Sequence, residues 1–232
     1  MRIQRALARA GIASRRHAEL LVAAGRVTVN GAPAVIGQSV VPERDDIRVD
    51  GRPLAQPEPT RWFALHKPAG VMTTRRDPTG RRTVFEFVPD VRGLTYVGRL
   101  DYLTEGLLLL TNDGDGAHAL SHPSGEVPRT YVATVRGDAP AAAQHALRGV
   151  HLQDGVAVVD RAVARPGKAG AWEFEVTLAE GRNREVRRLC TALGLRVERL
   201  VRTQYGPIAL GALRPGEWRE LRPREVERLL GR

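Results

Sequence analysis

Residues 98–114 read GRLDYLTEGLLLLTNDG. Gly106 to Leu110 is the longest apolar run in the chain, far short of the roughly 20 residues of a membrane span. It reads as a strand that ends in the turn residues Asn112, Asp113 and Gly114. The glycines at 114 and 116 read as part of that turn. Ahead of the run, Asp101 stands at a strand-to-loop junction between Leu100 and Tyr102. An Asp in such a place is usually a turn former. Here apolar neighbours on both sides would desolvate its carboxylate, and a desolvated carboxylate needs a cation. Arg99 is two residues away, and GRNREVRRL at 181–189 supplies more. On a helix, Arg184, Arg187 and Arg188 share one broad face at spacings of three and four. Such a run is commonly a solvated face; aimed at a pocket, it holds a carboxylate and several phosphates.

Outward from this segment, WFALHKP, TYVGRL, RTYVATV, WEFEVTL and RVERLVRT also read as strands. AAAQHALRG and NREVRRLCTALG read as helices, the second ended by Gly194. Long strands with few helices between them predict an α+β domain on a mixed, largely antiparallel sheet. AQPEPT at 55–60 reads as a linker, which divides the chain into units at 1–54 and 61–232. In the first unit a helical pattern around Ile3, Leu7 and Ala10 stops at Gly11. Ser14 caps a second helix, ended by Gly25. VTVNG and IRVDG follow as short strands running into Asn30-Gly31 and Asp50-Gly51 turns.

Thirty-six Lys and Arg stand against 26 Asp and Glu, a net charge of 36 − 26 = +10. That surplus favours a polyanionic partner. Only Lys67 and Lys168 are lysines, and Arg binds phosphate bidentately and stacks on bases. Cys190 is the only cysteine, so no internal disulfide forms. MRIQRALARAG at the N-terminus lacks an apolar signal core. A cytoplasmic, soluble, monomeric protein is expected. The six histidines lack the clustering of a metal site, and no phosphate-binding glycine loop appears, so neither metal nor nucleotide cofactor is expected.

GRLDYLTEGLLLLTNDG resembles the catalytic motif of pseudouridine synthases of the ribosomal small-subunit and large-subunit branch. ALHKPAGVMTT near residue 64, VPRTYVATV at 127–135, EGRNREVRRL at 180–189 and RLVRTQYGPIALGALRPGEWREL toward the C-terminus follow the family's order. Residues 1–54 resemble the alpha-L RNA-binding domain first seen in ribosomal protein S four. Arg129 stands where the family often has Lys, and Cys190 where a larger residue is expected.

The resemblance implies a cofactor-free isomerisation of uridine in ribosomal RNA. Asp101 would be the essential carboxylate, Arg187 its cationic partner, and Tyr131 the stack for the target uracil and an aid in removing the proton from carbon five. It implies RNA contacts by Arg5, Arg15, Arg16 and Arg26 in the small unit and by Arg99, Arg184 and Arg188 in the large one. Arg99 would also fill the space the base leaves. Asn183 and Glu185 are closer to the enzymes of large-subunit (23S) RNA than to the small-subunit (16S) enzyme. The rival reading is a non-catalytic RNA-binding assembly factor, which would share the basic surface and need no Asp101.

Overall fold

A computed structural model describes residues 1–56 and 58–231; Pro57, within the expected linker, and Arg232 lie outside the described residues. The small unit holds α1 (Ile3–Arg9), α2 (Arg15–Ala23) and four short strands, β1 (Val27–Val29), β2 (Ala32–Pro33), β3 (Ile47–Val49) and β4 (Arg52–Pro53), in the order β2-β1-β3-β4. Ser14 Oγ accepts from His17 N, as its capping role requires. Asn30-Gly31 and Asp50-Gly51 all adopt positive φ, from 50° to 83°, which is the backbone of a tight hairpin turn. Ile3, Leu7, Leu21, Val22, Val27 and Ile47 close a core of their own.

The large unit is built on one nine-stranded sheet. Its main path uses β5 (Trp62–Lys67), β7 (Glu105–Thr111), β8 (Arg129–Arg136), β11 (Arg161–Pro166), β12 (Trp172–Leu178), β13 (Arg196–Tyr205) and β15 (Trp218–Glu220), in the order β11-β12-β8-β13-β7-β5-β15. β6 (Thr95–Val97) adds to β7 and β14 (Ile208–Ala209) to β13. β9 (Val150–Leu152) and β10 (Gly155–Ala157) form a separate hairpin. Every neighbouring pair of described strands in the large sheet is antiparallel except β13 with β7.

The leucine run explains why this strand is central. Leu107 and Leu109 enter a core with Trp62 and Ala64 on one face. Leu108 and Leu110 enter another with Phe63 and Leu65 on the opposite face. A strand covered on both sides reads as a continuous apolar run. The first core is closed by α3 (Gly114–Ser121) and α6 (Pro223–Leu230). Farther along the sheet, α4 (Ala139–Ala146) and α5 (Glu185–Ala192) cover a third core through Ala142, Ala146, Val186 and Leu189.

Three expectations change. Residues 114–121 form a helix where a turn was expected: Asp113 caps it by accepting from Asp115 N and Gly116 N. Its glycine content reflects space, because a Cβ at Gly116 would lie 2.7 Å from the Trp62 ring. α6 was not anticipated; Pro223 at its first turn and Gly231 in left-handed conformation bound it. α5 begins at Glu185, after Arg184 at φ 49°, so Arg184 is outside the helix that was expected to carry it.

The two units touch. Arg5 and Arg15 both pair with the Asp115 carboxylate at the start of α3. A Cβ at Gly93 would lie 2.9 Å from the carbonyl oxygen of Ala8.

Where β7 meets β13 the backbones nearly collide. Gly106 has φ 106°, and a Cβ there would meet the Arg202 carbonyl and come within 2.6 Å of its nitrogen. Gly106→Ala is therefore expected to destabilise the protein by roughly 3 kcal/mol or more. Gly194, also at positive φ but with open space around it, should lose only about 1 kcal/mol as Ala. Urea denaturation of both variants checks this; equal losses would mean that φ alone, not the close approach, sets the requirement.

Candidate active site

A cleft of about 870 Å³ opens at the β7–β13 seam. Its walls are the β6–β7 connection with Arg99 and Asp101, Tyr131 on β8, Arg202 on β13, and the segment 178–187 leading into α5. Asp101 and Tyr131 are half-buried there. Tyr131 packs against two of the three cores of the large unit, which fixes its ring at the wall.

Asp101 begins a turn closed by Thr104 N donating to the Asp101 carbonyl at 3.0 Å. The turn is gripped from behind. The buried Lys67 ammonium donates to the carbonyls of Pro68 (2.9 Å), Tyr102 (3.3 Å) and Thr104 (2.8 Å). Gly70 N donates to the Tyr102 carbonyl at 2.8 Å. Burial lowers the Lys67 pKa to about 8, although Glu105 and Asp101 pull it upward. Beyond Asp101 the turn faces solvent: Tyr102 and Leu103 are exposed, so the apolar shield expected on that side of the carboxylate is missing.

Arg187 lines the same cleft but does not make the expected ion pair. Its Nη2 donates to the Leu103 carbonyl at 3.0 Å. Among the described residues no ion pair within 4.0 Å reaches Asp101. The two charges still feel one another: burial and Arg184 pull the Arg187 guanidinium down, and Asp101 opposes them. Arg99 and Arg184 are exposed on the cleft wall. Arg188 leaves the cleft and forms a two-pronged pair with Asp154 in the β9–β10 turn, at 2.7 and 2.8 Å. Glu185 is buried at the start of α5, and its carboxyl is raised by that burial while accepting from Arg182 N at 3.1 Å.

In the small unit, Arg5 and Arg15 line a second cleft of about 620 Å³ between the units. Arg26 is held by Asp50 at 2.8 and 2.6 Å, and Arg16 is exposed.

Four basic side chains at or behind the site were not anticipated as part of it: Lys67, Arg129, Arg199 and Arg202. Arg129 is buried and donates to the Ala179 carbonyl (2.6 Å) and to Tyr205 Oη (3.3 Å). Arg202 is buried, donates from Nε to the Leu107 carbonyl at 2.8 Å, and leaves Nη2 without a partner. Both guanidiniums lie 5.1 Å from the Tyr205 ring centre. Arg199 grips Glu105, next to the seam, at 2.9 and 2.8 Å. The available signal was Lys67 itself, one of two lysines in an arginine-rich chain and placed inside a strand. The lone thiol is no rival nucleophile: Cys190 is fully buried and its pKa is pushed up to about 12. Among the described residues no cluster of three or more metal-ligating side chains converges.

An acidic group and an aromatic ring in an arginine-lined cleft, with a basic helical unit alongside, suit a cleft that takes a nucleotide of RNA. The RNA pseudouridylate synthase family matches residues 61–192, and the S4 domain matches residues 1–47. An uncharacterized RNA pseudouridine synthase of Mycobacterium tuberculosis is 46% identical over 99% of this chain and 92% of that protein. Ribosomal large subunit pseudouridine synthase B of Vibrio cholerae is 44% identical over 98% of this chain and 74% of that protein. The crystal structure of a pseudouridylate synthase superposes with a TM-score of 0.66 at 26% identity, covering 99% of both chains. The chain belongs to the RNA pseudouridylate synthase family and carries an S4 domain ahead of its catalytic domain.

Lys67→Met should remove the grip on the turn, lowering stability by roughly 2 kcal/mol as buried carbonyls lose their donor, and lowering turnover. The pH dependence carries a sign. With Lys67 near 8 in the fold and 10.5 when unfolded, the unfolded chain binds more protons between those values. Its contribution to stability is therefore lost as pH falls through about 8 and grows toward 10.5. The stability gap between wild type and variant should widen between pH 8 and 10. A gap that narrows would mean that the carbonyls hold the ammonium strongly enough to outweigh its burial.

Proposed function

We propose that this enzyme isomerises a uridine of large-subunit (23S) ribosomal RNA to pseudouridine, with Asp101 as the essential carboxylate. The observation that carries the substrate is the match, over 95–98% of this chain and 74–79% of each relative, to synthases of Vibrio cholerae, Vibrio vulnificus and Salmonella typhi named for the large ribosomal subunit, at 44–45% identity. The reaction breaks the bond from ribose to the uracil ring nitrogen, turns the base, and joins the ribose to uracil carbon five; carbon five loses its proton and the freed ring nitrogen takes one up. Asp101 acts as nucleophile or base and must be ionised for either. Arg187 serves it indirectly, by holding the Leu103 carbonyl and so the turn, and by its charge. Tyr131 stacks on the uracil.

The target base must leave its helix, at a cost of a few kcal/mol. One aromatic stack returns roughly 1–3 kcal/mol. Phosphate contacts supply the remainder, from Arg99 and Arg184 at the cleft and from Arg5, Arg15, Arg16 and Arg26 in the small unit. Arg188, bound by Asp154, instead fixes the start of α5. Residues 1–54 act as an RNA-holding domain joined by 55–60 to the catalytic domain at 61–232, in a cytoplasmic monomer.

Asp101→Asn is expected to abolish tritium release from uridine-labelled 23S RNA with RNA affinity nearly unchanged. Activity within roughly tenfold of wild type would be too much for loss of an essential nucleophile or base. Arg187→Ala should lower turnover at saturation more than affinity; the reverse pattern would make it a phosphate contact. For the substrate, carbodiimide mapping of RNA from a strain lacking the protein should show one pseudouridine missing from 23S RNA. A site missing only from 16S RNA would overturn that assignment.

A further inference from the structure

The turn that begins with Asp101 has a tip that its chemistry does not explain. Turn tips are ordinarily built from Gly, Asn, Asp, Ser or Pro. Here the two central residues are Tyr102 and Leu103, 41% and 60% exposed, and neither joins any of the four cores. The tip is also unusually fixed. Three consecutive carbonyls, of Tyr102, Leu103 and Thr104, accept from Lys67 or Arg187. Tyr102 is backed by Arg81, whose guanidinium lies 5.6 Å from its ring centre, and Asp77 holds Arg81 at 2.7 Å. A rigid apolar point has thus been built onto the cleft's own acidic turn.

We infer that Leu103, supported by Tyr102, is a wedge that enters the RNA helix beside the target uridine and keeps the base out. This rests on the proposed role of Asp101 and on a base-paired RNA substrate. Leu103 follows Asp101 by two positions, and two residues of chain reach at most about 7 Å. With the uridine at Asp101, that reach covers the distance to the neighbouring base of the strand. Apolar side chains inserted between base steps are one means by which proteins unstack a duplex. An aliphatic wedge has no hydrogen bonds to satisfy there, and a pinned turn loses little conformational freedom on entering.

The test compares single-turnover rates on two hairpins. Both carry the uridine that wild-type enzyme modifies in ribosomal RNA transcripts, so a target outside 23S RNA alters the substrate reading and leaves this test in place. In one hairpin the flanking pairs are intact; in the other they are mismatched, so extrusion is already cheap. Leu103→Ala should lower the ratio of paired to mismatched rates roughly tenfold, and Leu103→Met should restore it. An unchanged ratio, with or without an equal loss on both hairpins, overturns the wedge. So does a ratio that falls for Arg99→Ala and not for Leu103→Ala, which would give the task to the arginine.

Discussion

The whole architecture hangs on the place where β7 and β13 run side by side at Gly106 and Arg202. It is the single parallel contact in the described sheet, only two residue pairs long, and it joins two antiparallel halves. Without a side chain at Gly106 the strands approach closely enough to continue one sheet. Arg202 then seals the seam from within, reaching across to the Leu107 carbonyl. The halves diverge on either side of so short a contact, and the cleft is the space between them. Asp101 comes from the connection leading into β7, Tyr131 from the strand beyond β13, and Arg187 from the helix that precedes β13.

Arginine and lysine do two kinds of work in this protein. Those on the surface pair with carboxylates or await a polyanion. Lys67, Arg129, Arg187 and Arg202 are turned inward, and each donates to backbone carbonyls. A buried cation is unfavourable unless its donors are satisfied, and carbonyl oxygens satisfy them without neutralising the charge. The site thereby keeps a positive field around the half-buried Asp101 carboxylate while its loops are held in place. Direct pairing of Arg187 with Asp101 would have satisfied both groups and left the carboxylate occupied.

Much of this was legible in the residues. The leucine run, the Asn-Gly and Asp-Gly turns and the Ser14 cap each carry a local physical signal, and each produced the expected element. α3 escaped because Gly114 and Gly116 read as turn residues; the real cause of Gly116, a Trp62 ring 2.7 Å from where a Cβ would sit, is a tertiary contact. Arg184 was assigned to the helix face because spacing alone does not reveal a left-handed residue ahead of the first turn. The partner of Arg187 was misread for a related reason. Side-chain chemistry suggests a carboxylate, whereas the group it meets is a main-chain carbonyl, which every residue possesses and no sequence marks.

The contact between the units has a consequence of its own. Asp115 receives both Arg5 and Arg15, so two positive charges meet one negative there, and Arg9, Arg75 and Arg76 line the same cleft. The docked arrangement is therefore electrostatically incomplete. A phosphate arriving there would trade places with a carboxylate already solvating the same guanidiniums, which are partly exposed in any case. Ionic strength acts on both sides of that exchange, since salt screens the bridge between the units as well as the attraction of RNA. Dilute buffer thus strengthens the bridge between the units and the attraction of a polyanion together.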